Sequence, residues 1–131
     1  MQIHSLLLAA GLSLASIALA AANRPPEHAV NATFGNTVLS IYGDGRSQKV
    51  YLHPDGAWDG YSRRGNPLAG AWKLKGEQVC VKQTRPATLP ISFCMPLPEN
   101  PHVGSTWPAK DLTGAPIQLK IVKGKVTTYN P

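Results

Sequence analysis

From residue 43 onward the chain is broken every several residues by Gly, Pro or Asn, and the runs between the breaks are short and rich in β-branched and aromatic side chains. No window of helical length shows a 3.6-residue period, so the pattern specifies short strands joined by turns. Gly43-Asp44-Gly45 offers positive-φ positions, and His53-Pro54-Asp55-Gly56 sets Pro and Gly where a tight turn uses them. Arg64-Gly65-Asn66-Pro67, Lys75-Gly76-Glu77 and Lys123-Gly124 continue the series. The expected strands are Thr37–Tyr42, Gln48–His53, Ala57–Tyr61, Ala69–Lys75, Gln78–Thr84, Ile91–Met95, Ile117–Val122 and Lys125–Tyr129. The fold class that follows is all-β, a small antiparallel meander closed or half-closed as a barrel.

Alternation assigns faces. In Ala71-Trp72-Lys73-Leu74-Lys75, Trp72 and Leu74 share one side and the two lysines the other. Ile117, Leu119 and Ile121 stand likewise against Gln118 and Lys120, so each sheet face is dry on one side only. The two cysteines fix a register. If Cys80 lies opposite Cys94, then Val81 faces Phe93, Val79 faces Met95 and Lys82 faces Ser92, pairing apolar with apolar. An antiparallel pair brings opposite Cα atoms to about 4.5–5.5 Å, within disulfide reach. Closing a loop of that length stabilises a fold by roughly 3 kcal/mol through the unfolded chain.

Residues 1–22 hold no Lys, Arg, Asp or Glu, and their apolar stretch from Leu6 to Ala22 ends in small residues. That is the form of a secretory signal peptide, with cleavage expected after Ala20 or Ala22 and Ala22 slightly favoured. The expectation is a periplasmic or secreted protein, a compartment in which a pair of cysteines closes into a bridge. Residues 23–36, with Arg24-Pro25-Pro26-Glu27, read as an extended N-terminal arm, and residues 37–131 as a single β domain. Every charged residue lies beyond the leader, so the remainder keeps the full net charge of +6.

Catalytic signatures are weak. The chain contains no GxSxG elbow, HExxH helix or complete Walker sequence. Gly43 to Lys49 faintly resembles a phosphate-cradling loop, but no helix follows to supply amides, and a hairpin turn accounts for it. His28, His53 and His102 are scattered singly. Asp55 and Asp59 follow His53 and suggest a metal or acid–base cluster; in one strand they would stand about 13 Å apart, too far for a glycosidase pair. No catalytic residue, metal site or cofactor is therefore assigned. Trp58 and Trp107 are candidates for a stacking platform, while Trp72 is expected in the core. Lys120, Lys123 and Lys125 cluster at the expected C-terminal hairpin and are the candidate contacts for a polyanion, although lysine on exposed strands also blocks edge pairing.

Tyr51-Leu52-His53-Pro54-Asp55-Gly56, then Ala69 to Gly76 with Trp72, then Cys80, resembles a pattern in small exported bacterial β-domain proteins of unknown function, in which a D-G hairpin precedes a G-x-W strand and a cysteine strand. The resemblance implies an antiparallel β domain and supplies no activity. A shorter stretch, Ala69-Gly70-Ala71-Trp72-Lys73-Leu74 with Cys80, is similar to part of the periplasmic metalloprotease inhibitors of lipocalin-like fold. Those inhibitors act through an N-terminal segment that Asn23-Arg24-Pro25-Pro26 does not reproduce. The expected function is a non-enzymatic periplasmic binding or envelope-associated module. Its expected partners are an anionic envelope polymer or lipid head groups, or a protein; nucleic acid is not expected. The alternatives are an inhibitor of a secreted hydrolase and a small hydrolase.

Overall fold

A computed structural model describes residues 27–130. The expected leader, its cleavage site and residues 23–26 of the arm lie outside them. The described part begins with a helical turn, Glu27–Val30 (α1), that runs into a turn of 3₁₀ helix, Asn31–Thr33. Here an extended arm was expected, and the correction has a physical cause. Val30 is only 2% exposed and Phe34 lies 5.8 Å from the Trp72 ring, so this segment coils to press an apolar face against the barrel end.

Eight strands follow among the described residues: β1 (Thr37–Ile41), β2 (Ser47–Leu52), β3 (Ala57–Tyr61), β4 (Pro67–Lys75), β5 (Gln78–Arg85), β6 (Ser92–Pro96), β7 (Thr106–Lys110) and β8 (Pro116–Val122). All neighbours are antiparallel and the sheet runs β6-β5-β4-β3-β2-β1-β8-β7. The fold is the expected all-β meander, curled into a nearly closed barrel. Its two edge strands, β6 and β7, meet without forming a ladder, and the Trp107 indole N–H crosses the seam to the Pro96 carbonyl at 2.7 Å.

The register around the disulfide is the one the cysteines imply: Cys80 opposite Cys94, Val81 opposite Phe93, Val79 opposite Met95, Lys82 opposite Ser92. The bond is formed, with Cα atoms 3.9 Å apart. Two strand assignments need correction. Lys125–Tyr129 forms no strand, because both edges of β8 are already paired, one with β1 and one with β7. The strand that sequence reading omits is β7, whose Pro108 argues against a strand; it is tolerated because β7 is an edge.

Inward positions carry the core. Val38, Val50, Trp58, Val81, Leu119 and Ile121 belong to one buried cluster that continues through Val79, Met95 and Trp107. Gly60 of β3 and Gly70 of β4 let the backbones of β2 and β5 approach so closely that a Cβ would stand 1.9 Å from the Lys49 and Lys82 carbonyl oxygens respectively. A second layer lies outside β1 and β2: Leu39 and Tyr51 point away from the barrel interior and yet are buried. Residues 124–126 hold down that layer. Thr37 Oγ1 donates to the Gly124 carbonyl at 2.6 Å and accepts from the Val126 amide at 2.9 Å, and the Tyr51 hydroxyl donates to the Val126 carbonyl.

Candidate functional site

The two ends of the barrel differ. One is stoppered by Val30, Phe34 and Trp72. At the other lie the β1–β2, β3–β4 and β7–β8 turns and the longer β5–β6 loop. The three turns share one construction, a five-residue loop closed by a backbone pair at 2.9 Å and carrying Gly at the fourth position: Gly45, Gly65 and Gly114, with φ between 83° and 85°. Because the turns are short, the side chains beside them form the rim of an opening.

Inside that opening is a cavity of about 390 Å³, within the range of small-molecule sites. Its walls are the inward residues Val50, Trp58, Val81, Phe93, Met95 and Ile117, and three polar side chains, Ser40, Gln48 and Gln83, stand among them. Tyr42, Arg63 and Thr113 line the mouth. Leu89, Ile91 and Leu112 line it as well, and they are 70%, 50% and 65% exposed, three of the four exposed large apolar residues among those described. Three exposed apolar side chains thus stand at the entrance to the cavity.

The rim is also charged. The Arg63 guanidinium lies over the Tyr42 ring, 3.9 Å from its centroid, and makes no ion pair among the described residues. Burial pushes the Tyr42 phenol above its ordinary value; Arg63 draws it back by less, and Asp111 adds a smaller upward push. Asp111 is held below the usual carboxylate range, first by the Thr113 hydroxyl at 2.6 Å and then by the amides of Ala115 and Thr113. Asp44 is lowered in the same direction by Arg46, whose side chain donates to it at 2.8 Å. Both acids are engaged within their own turns. The strand ends and turns around the mouth carry Arg46, Arg63, Arg64, Arg85 and Lys110 against these two carboxylates.

The residues singled out from sequence are divided between inside and outside. Trp58 is buried, forms part of the cavity wall and donates to the Lys82 carbonyl at 3.2 Å. Trp107 is buried at the seam, so these two rings form no exposed stacking platform. Trp72 is half-buried at the stoppered end, its N–H bound to the His53 carbonyl at 2.7 Å. The C-terminal lysines lie on the outer wall, away from the mouth. Lys120 is half-buried and reaches the Tyr129 hydroxyl at 3.4 Å, Lys123 is exposed, and Lys125 lies 4.7 Å from the Tyr51 ring centroid and 3.6 Å from Asp59. Lys120 belongs to β8, and Lys123 and Lys125 follow it in a segment that forms no strand, so the expected C-terminal hairpin is absent.

His53 does meet an acid: its Nε2 is 2.5 Å from Asp59 Oδ1, on the half-exposed outer wall. Asp55 is occupied elsewhere, accepting the Ala57 amide at 2.9 Å. No group of three or more His, Cys, Asp or Glu side chains able to hold a metal occurs among the described residues. The loop from Gly43 to Lys49 is a hairpin turn running into β2.

The rim and the polar cavity residues are what sequence reading missed. Two signals were available: polar Ser40, Gln48 and Gln83 at inward positions, and apolar Leu89, Ile91 and Leu112 in loops. Together the fold and the cavity define a class, a small up-and-down barrel stoppered at one end and open to an apolar cavity at the other. No family model, curated protein or solved structure matches this chain.

Proposed function

We propose that this protein is a non-enzymatic binding module of the periplasm or cell envelope that takes a small molecule into the open end of its barrel. The observation that carries this reading is the apolar cavity whose mouth bears exposed Leu89 and Leu112. A monomeric domain gains nothing in stability from apolar loop tips in water, whereas a ligand that covers them gains their burial. The described part of the N-terminal segment supports this reading over a hydrolase inhibitor acting through a projecting arm, since Val30 and Thr33 pack back onto the barrel. The His53–Asp59 pair, outside the cavity, gives a hydrolytic mechanism no shared pocket with the apolar site.

Titration of the oxidised protein with the neutral fluorophore phenylnaphthylamine tests the reading. Saturable enhancement of emission is expected, and Ser40→Phe, which puts a ring into the cavity, is expected to abolish it while leaving the near-ultraviolet circular dichroism of a folded protein. Absence of saturable binding, or equal binding by a folded Ser40→Phe variant, removes the cavity as the site.

A further inference from the structure

We infer that the ligand is a single-chain amphiphile with an anionic head, its apolar chain inside the barrel and its head beside Arg63. The inference rests on the binding reading above and names the ligand class. Three features lead to it. The cavity walls are mostly apolar, with Ser40, Gln48 and Gln83 among them, and the end opposite the mouth is stoppered, which suits a molecule with one oily end. A cavity of about 390 Å³ lies in the size range of small-molecule sites and has room for a chain on the order of ten carbons. Arg63 stands at the mouth with its guanidinium stacked on Tyr42, which fixes its plane while leaving its N–H edge without an acidic partner among the described residues.

The two acids at the mouth do not cancel this preference. Asp111 Oδ1 accepts from Thr113 and Ala115 within its own turn, and Asp44 is paired with Arg46. Asp111 keeps its negative charge, since its donors are a neutral hydroxyl and amides, and Arg63 is among the groups that lower it; Arg63, Arg64, Arg85 and Lys110 outnumber it, so the opening is net positive. A planar guanidinium favours carboxylate or phosphate, each of which it can bind through two parallel N–H bonds. Carboxylate and phosphate heads therefore share the chemistry, and a fatty acid or a single-chain phospholipid could each supply it.

The test compares ligands of equal chain length by displacement of phenylnaphthylamine: dodecanoate, dodecyl phosphate, dodecanol and dodecyltrimethylammonium, with inorganic phosphate alone. The expected order places both anions ahead of the alcohol by about five- to ten-fold, with the cation weakest. Whichever anion binds more tightly identifies the head. Affinity is expected to rise about four-fold per methylene until the cavity is full. Arg63→Gln is expected to erase the advantage of the anions over dodecanol, Arg63→Lys to keep most of it, and added salt to shrink it.

If all four amphiphiles displace the probe equally, or Arg63→Gln changes nothing, the anionic-head inference is overturned while the cavity reading stands. Tighter binding of the cation overturns it in the same way, in favour of Asp111. Tight binding of inorganic phosphate without a chain overturns the amphiphile itself. Failure of phenylnaphthylamine to bind at all overturns both readings.

Discussion

Gly70 is the position where one atom matters most. An added Cβ would stand 1.9 Å from the Lys82 carbonyl oxygen and 2.6 Å from the Trp58 indole nitrogen. The same carbonyl accepts the Trp58 N–H, so the clash would dislodge a cavity wall residue along with the backbone. Gly70→Ala is expected to destabilise the protein by about 3 kcal/mol, read as a lower denaturant midpoint at unchanged slope. The turn carboxylates make a second residue-scale prediction. Asp44 and Asp111 have folded values below their ordinary 3.8, so they bind fewer protons folded than unfolded in the acid range. Their contribution is therefore present above that value and lost as the pH falls through the folded ones. Thermal melts are expected to stay level from neutrality to about pH 4 and decline below it, less steeply in Asp111→Asn. Tyr42 acts in the opposite direction at the alkaline end. Its raised value means stability present below pH 10 and lost as the pH rises through the folded value.

Among the elements, the seam is the weakest join, since β6 and β7 are held across it by a side-chain bond rather than a ladder. Trp107→Phe keeps a ring in the core and removes only the bond to Pro96. It is expected to cost about 1 kcal/mol and to speed amide exchange in β6 and β7 ahead of β1 and β2. The elements themselves were largely legible because turn chemistry is local: Asp55-Gly56 and Gly43-Asp44-Gly45 mark their hairpins without reference to anything distant. The cysteine register was legible for a similar reason, since Val79 and Val81 had to find Met95 and Phe93 to keep one face apolar. What failed was non-local. Thr106-Trp107-Pro108-Ala109-Lys110 reads poorly as a strand unless it is known to be an edge. Lys125–Tyr129 reads well as one unless β8 is known to be fully paired. The N-terminal segment was misread likewise, because the surface that makes Val30 and Phe34 coil comes from β4 and its neighbours.

At the scale of the whole molecule, the candidate site arises from closure. Tyr42 and Arg63 stand in different turns, and the aromatic face that fixes the guanidinium exists only because β1 to β4 curl to bring those turns to one rim. Composition gave the basic charge but not its place; the C-terminal lysines were the visible cluster, whereas the arginines that ring the opening are dispersed between residues 46 and 85. The same closure has a consequence for how the chain reaches its native state. The strand beside β1 on one side is β2, eleven residues or so along the backbone, but on the other it is β8, the last to be made. A growing chain can zip the first six strands in sequence, yet it must leave β1 with a bare edge until Pro116–Val122 arrives. Closure of the sheet at β1 thus waits for the eighth strand. Until then the bare edge of β1 is exposed to pairing with a neighbour.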